Sequence, residues 1–395
     1  MSNADELIDE WAEKVEQRIT AVEFAWFKRI GETIKKFFNM EKISTTMNEF
    51  RETIAEDLRK LAGLLRKAHI ENIQDIESMF GEITAEVYEE GQKIGDKKGK
   101  KLFPLKKYRQ SVNPMLNKVM KKYSIMAKST TTDKVYKAAI TKMVNKMYVD
   151  DDHINYHRAM REAITELGRE GISFIDYDNG KHPYTRRLDS SVRNALSGEM
   201  SQIVQEINYK IAEDIGADSF EVTIEYNPAP DHEFVQGKVF TAEEWEKLQN
   251  GDPATDTDGE THHLTHRVIG QYNCRHLGVP FFTGVSERAC DQKELDKIYN
   301  DNHANIEFEG KKYTKYQASQ LQRQIETESR KTRGVKEILH NVAGNDPAFR
   351  RERNELNASI KALNERYERL GETLKPYAMR AKKERMYNID ARGNR

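Results

Sequence analysis

The sequence predicts an α+β fold that is predominantly α-helical, with a helical N-terminal arm, a small mixed α/β domain and a C-terminal antiparallel helical hairpin of coiled-coil type. Three observations predict it. Apolar residues recur every three or four positions over most of the 395-residue chain, as amphipathic helices require. Strand-like alternation with Pro and Gly punctuation is confined to the middle, within 171–315. The composition, 37% hydrophobic and 33% charged with a mean hydropathy of -0.83, suits long helices with one buried face better than a large compact enzyme. A chain this long outgrows a single core, so four regions are expected: amphipathic helices in 1–95, a basic helical segment in 96–170, the mixed domain in 171–315 and the hairpin in 316–395. An elongated body is the expected shape.

Taken in order, Ile8, Trp11, Val15, Ile19, Val22, Trp26, Ile30, Ile34 and Phe37 define a first long helix. A second follows Ser44-Thr45-Thr46 with Met47, Phe50, Ile54, Leu58, Leu61 and Leu65 on one stripe, and a third spans 70–88. Gly91, Gly95 and Gly99 then read as breaks, and Lys97-Lys98-Gly99-Lys100-Lys101 as an exposed linker. Two helices are expected in the basic segment, divided by Ser129-Thr130-Thr131-Thr132, and another at 156–169. The first strand is 172–177, ended by Asp178-Asn179-Gly180; a helix with Leu188, Val192, Ala195, Leu196, Ile203, Ile207, Ile211 and Ile215 along one side stops at Gly216. Alternation at 220–226 predicts a second strand, ended by Pro228 and Pro230, and Glu309-Gly310 a tight hairpin within 306–313. Positions 349, 353, 356, 360, 363, 367, 370 and 374 form a heptad seam that pairs with a helix at 316–339 across the loop 341–347.

The net charge of -1 conceals a strong asymmetry. Residues 101–150 carry twelve Lys/Arg against Asp133 and Asp150, a net of +10, whereas 201–250 carry three basic and eleven acidic residues, a net of -8. The basic segment predicts non-specific contact with a polyanion through Lys106, Lys107, Lys118, Lys121, Lys122 and Lys128, with Tyr108, Tyr123, Tyr136 and Tyr148 among the lysines on the outer faces. No base-reading motif accompanies them. The acidic start Met-Ser-Asn-Ala-Asp-Glu and the lack of a long apolar run predict a soluble chain without a membrane segment, not exported by the usual route. Two cysteines, Cys274 and Cys290, are too few for a disulfide framework and read as small buried residues in a reducing compartment.

The chemical candidates concentrate in 231–282. His232, His262, His263, His266, Cys274, His276 and Cys290 are zinc-type ligands, but their spacing lacks a helical His-Glu-x-x-His pattern. An enzyme of nuclease or transferase type would use His232, Gln236, Arg275 and His276 as base and phosphate clamp. No phosphate loop, nucleophile elbow or spaced carboxylate pair supports it, so these side chains are expected to pin the loops of a small sheet.

Several ordered motifs carry a family likeness. Arg187 to Arg193 open a long helix; His232 is followed by Gln236-Gly237-Lys238-Val239-Phe240; Asn273-Cys274-Arg275-His276 precedes Pro280-Phe281-Phe282. Ile306-Glu307-Phe308, Gly310-Lys311-Lys312-Tyr313, the run from Tyr316 to Arg323 and Arg330-Lys331-Thr332 complete the series. Over about 160–390 the chain resembles the minor capsid protein 2 family of tailed phages, kin to the Mu F-like head morphogenesis proteins; residues 1–150 carry less of the likeness. The family often has an aromatic directly before the Gln-Gly pair, where this chain has Val235, with Phe234 one place earlier. The resemblance implies a structural virion component, present in a few copies per particle and assembled in the host cytoplasm. Its implied partners are the portal protein and/or the major capsid protein, with packaged double-stranded DNA bound non-specifically and leaving with the protein at ejection. The family offers no catalytic residue to carry over, and no cofactor or metal is expected; Arg187, Arg193, His232, Gln236, Gly237, Lys238, Cys274, Arg275, His276 and Pro280 are expected to be structural. Two other functions stay open: a virion-carried effector enzyme using His232, Arg275 and His276, and an assembly accessory absent from the finished particle.

Overall fold

The computed structural model describes residues 3–38, 46–128, 130–149, 153–176, 184–225, 227–264, 269 and 274–377. Helix α1 (Asn3–Phe38) follows the apolar stripe read from the sequence: Ile8, Val15, Ile19, Trp26, Phe27, Ile30 and Ile34 are buried against α2 (Thr46–Lys97), α6 (Leu188–Ile215) and α9 (Lys315–Ala343). Helix α2 corrects the sequence reading. Instead of two helices ending near Gly91 it runs unbroken for 52 residues. Gly91 and Gly95, one turn apart, face α6, where an added Cβ would come within 2.6 Å of Ile211 Cδ1 and 3.2 Å of Ile215 Cγ2. They bring the two helices together; the chain turns only at Gly99, where φ is +64°.

The basic segment forms α3 (Leu105–Lys128) and α4 (Thr132–Val149), and α5 (His153–Glu170) follows. Ser129 and the strand-ending Asp178-Asn179-Gly180 lie outside the described residues. A short ribbon of β1 (Ser173–Asp176) and β2 (Tyr184–Arg187) leads into α6, so Arg187 ends a strand as well as preceding the helix. Gly216 closes α6 in the left-handed conformation. The sequence gives α6 one apolar side, yet Met200, Ser201, Val204, Gln205, Asn208 and Ala212 are buried too. The reason is position: α1, α2 and α3 cover part of it and strand β7 (Gly278–Phe281) another part.

A three-stranded antiparallel sheet lies beside α6 in the order β4 (Val239–Thr241), β3 (Ser219–Val222), β7. Strand β3 ends at Val222, short of the alternation read at 220–226: Thr223 N still donates to Leu277 O at 2.8 Å, but side chains then join in, with Thr223 Oγ1 accepting from Leu277 N at 2.9 Å and Glu225 N donating to Gln236 Oε1; Tyr226 lies outside the described residues. Helix α7 (Ala242–Asn250) brings Trp245 onto Phe220 and Phe240. It is followed by a two-residue-strand hairpin, β5 (Ala254–Thr255) and β6 (Thr261–His262), and by α8 (Gln292–Asn302) with an Asp291/Glu294 capping box.

Strands β8 (Ile306–Phe308) and β9 (Lys311–Tyr313) form the expected hairpin, with left-handed φ at both Glu309 and Gly310, and Arg366 and Arg369 of α10 (Arg350–Leu374) bind Glu309. Helices α9 and α10 pack together, and Phe349, Tyr367, Leu370 and Leu374 of the heptad seam are buried. One apolar core links α1 to α6 with α9; smaller ones lie around Trp245 and between the β8–β9 hairpin and the α9–α10 pair. Among the described residues ten α-helices and small antiparallel sheets make up the predominantly helical α+β fold, and no helix among them is long and apolar enough to cross a membrane.

Candidate functional site

The motif residues around the three-stranded sheet have distinct tasks. Gln236 reaches back to the backbone beyond β3, and Gly237 donates to Val222 O at 2.9 Å. Gly237 has φ +65°, and a Cβ there would stand 2.8 Å from Leu295 Cδ2, so both backbone and space call for glycine. Val235 is fully buried while Phe234, 39% exposed, stacks on His262 with ring centres 5.9 Å apart. The shift of the aromatic by one place therefore puts a ring on the outside of this turn and an aliphatic side chain in the core. Lys238 Nζ lies 3.1 Å from Glu260 and 3.6 Å from Asp256. Pro280 pairs with Phe220 on an outer strand of the sheet, where a missing N–H is tolerated.

His232, Cys274 and His276 converge behind this sheet. His232 precedes a 3₁₀ turn (Glu233–Val235), and Cys274 and His276 lie two residues apart in the segment entering β7. All three are buried, at 0, 4 and 3% exposure. His232 Nδ1 is 3.1 Å from Cys274 Sγ, which is 3.4 Å from His276 Nδ1. Cys290, by contrast, is half-buried, with its thiol pushed up by burial and by Glu294. A second group, Asp256, Glu260 and His262, also has metal-ligand spacing. Its central carboxylate is engaged: Asp256 accepts from the backbone of Asp258 and Glu260 and from His262 Nε2, each at 2.9 Å, with Lys238 beside it. His262 lies in β6, not on a helix, and His266 lies outside the described residues.

The motif arginines point elsewhere. Arg275 makes a two-pronged contact with Asp9 of α1. Arg193 stands 3.6 Å from Asp9 and 3.5 Å from Glu16, Arg330 of α9 binds Glu16 at 3.2 Å and Asp189 at 2.6 Å, and Arg187 binds Glu23 and lies 3.5 Å from Asp189. Asp9, Glu16 and Glu23 are seven residues apart, two turns each, so they form one line along α1. Four arginines from β2, α6, the segment entering β7 and α9 thus meet four carboxylates. Burial works against ionising Asp189, yet Arg330 and Arg187 hold its carboxyl well below the usual range. Burial pushes the Glu23 carboxyl up against the pull of Arg187, and Ile172 N donates to it at 2.8 Å. The carboxylate half of this ladder is absent from the sequence reading. Its signal was available as acidic residues at 9, 16 and 23, directly after the apolar Ile8, Val15 and Val22.

Among the basic residues, Lys106, Lys107, Lys118, Lys121 and Lys128 are exposed on α3, which has no acidic residue. At 100° per residue the five fall within an arc of about 120°, opposite buried Tyr108, Val112, Leu116, Val119, Tyr123 and Met126. Lys122 flanks that arc and binds Glu199 at 2.8 Å. The tyrosines correct the sequence reading. Tyr108 bonds Asp214, Tyr123 accepts from Asn72 at 2.7 Å, and Tyr136 donates to Asp57, all buried; the Tyr148 side chain is outside the description.

In comparisons with known proteins, the family model described as phage minor capsid protein 2 matches residues 24–366. The match begins well before the region around 160 where the motifs first show a likeness, taking in α2, α3 and α4. No curated protein and no solved structure matches the chain.

Proposed function

The chain belongs to the phage minor capsid protein 2 family, a family of bacteriophage structural proteins, and from that premise we propose that it works inside the virion as a helical link between the head shell or portal and the packaged DNA. The observation that carries the DNA contact is the lysine face of α3: five exposed lysines spread over 22 residue steps, about 33 Å of helix, with no acidic residue on the helix. Such a face suits phosphate contact without base reading. The protein partners are the portal protein and/or the major capsid protein, met in the host cytoplasm during assembly.

The role is structural rather than enzymatic. What supports this is the engagement of the would-be catalytic groups: His232 and His276 are buried against Cys274, and the Arg275 guanidinium is held by Asp9. A phosphate clamp needs both accessible. The motif residues serve instead to hold the small sheet and α1 in place.

Binding of a labelled double-stranded DNA fragment across a salt series tests the DNA contact. With five lysines engaged, the slope of log affinity against log salt is expected to be roughly -4 to -5. Replacing Lys118, Lys121 and Lys128 with Glu removes most of the binding at low salt. Unchanged affinity in that variant, or a flat salt dependence, overturns the assignment.

A further inference from the structure

Cys274 Sγ lies 3.1 Å from His232 Nδ1 and 3.4 Å from His276 Nδ1, and each of the three buried residues offers a ligand atom within 4.8 Å of the others. In tetrahedral zinc sites with Zn–S of about 2.3 Å and Zn–N of about 2.0 Å, neighbouring sulfur and nitrogen ligands stand about 3.5 Å apart. The observed spacings need only a few tenths of an ångström of outward movement to admit the ion. The local backbone favours the same outcome. Cys274 and His276, two residues apart in the segment entering β7, present their ligand atoms together, and His232 closes on them from the turn before Gln236-Gly237.

We infer that His232 Nδ1, Cys274 Sγ and His276 Nδ1 bind a structural Zn²⁺ ion that clasps the turn before β4 to the segment entering β7. A zinc ion bound by thiolate and two neutral imidazoles engages all three ligand atoms at once. The fourth tetrahedral position is left to a water or a further protein atom. Asp231 Oδ2 lies 3.9 Å from His232 Nε2, on the far side of the ring, where a carboxylate orients and strengthens a metal-bound imidazole. The clasp joins segments 42 residues apart, on either side of α7 and the β5–β6 hairpin. It also holds the neighbouring Arg275 where it meets Asp9 of α1. The Asp256 group is not the site, because Lys238 already neutralises it.

The test is metal analysis of the full-length chain made in zinc-supplemented medium and dialysed against metal-free buffer, with Co²⁺ replacement as the spectroscopic probe. The expected result is one zinc per chain, a thiolate-to-cobalt charge-transfer band with tetrahedral visible bands, and a lowered Tm after chelation. Cys274→Ser removes the charge-transfer band, and His276→Ala loses the zinc. His276→Cys, which replaces one zinc ligand with another, retains the zinc and strengthens the band. That last variant separates metal binding from packing even if His276→Ala fails to fold. Wild-type chain without zinc and without the cobalt band overturns the inference. So does a cobalt signal abolished by Asp256→Asn and unaffected by Cys274→Ser, or a His276→Cys chain that folds but holds no zinc.

Discussion

Replacing Arg330 with Met tests the buried ladder where it is most connected. The guanidinium lies between two carboxylates on different elements, Asp189 Oδ2 at 2.6 Å and Glu16 Oε1 at 3.2 Å, and only 16% of the side chain is exposed. Methionine keeps much of the stem's volume, so the perturbation is chiefly electrical. It leaves Glu16 with Arg193 alone at 3.5 Å and Asp189 with Arg187 alone at 3.5 Å. Three arginines then face four carboxylates, in a region too buried for water to restore the balance. Breaking a buried pair by removing one partner costs about 3–5 kcal/mol. For a chain of this size that corresponds to a fall in Tm of roughly 4–6 °C. Thermal unfolding followed by circular dichroism, with native-state hydrogen exchange of α1, reads both the size and the place of the loss. The double variant Arg330→Met with Asp189→Asn removes one of the orphaned charges and should recover about 1–3 kcal/mol. A single-variant cost below about 1 kcal/mol, or strictly additive double-variant losses, would refute the ladder as the device that seats α1.

Two further outcomes follow from the same geometry. Glu225 is half-buried with Oε1 fully enclosed; burial, then Asp5, push its carboxyl up from 4.5 to about 7. The fold keeps this proton while the unfolded chain has released it, so Glu225 subtracts stability progressively as pH rises from about 4.5 to 7. At pH 8 Glu225→Gln should therefore raise stability by up to about 3 kcal/mol, and at pH 4 leave it nearly unchanged; equal effects at the two pH values in urea titrations would contradict this. Gly237→Ala forces a side chain into left-handed backbone and against Leu295, and should lower stability by about 1–3 kcal/mol in the same assay, where a neutral result would deny the constraint.

The helices were legible because their apolar periodicity is long and regular, as in α1 and along the seam from Phe349 to Leu374. The tight hairpin was legible from Glu309-Gly310, whose turn chemistry is local. What was illegible depends on partners distant in sequence. Gly91 and Gly95 read as helix breakers because nothing nearby announces that Ile211 and Ile215 will pack on them. Tyr108, Tyr123 and Tyr136 sit in a basic stretch and read as surface residues, yet each is buried with a polar partner at least 51 positions away. The site was half legible for the same reason. Arg187, Arg193 and Arg275 stood out with the motifs, but their carboxylates lie 164 to 266 residues upstream on α1. His232 and Cys274 are separated by 42 residues, so local zinc spacing does not reveal their convergence.

As a structural protein of the proposed kind, this chain is built into the phage particle. Quantitative mass spectrometry of particles purified through a density gradient, with the infected-cell lysate measured alongside, tests it most directly. Peptides from α1 through α10 are expected in the particles, in fixed ratio to the major capsid protein across gradient fractions. A chain abundant in the lysate yet absent from finished particles would contradict it.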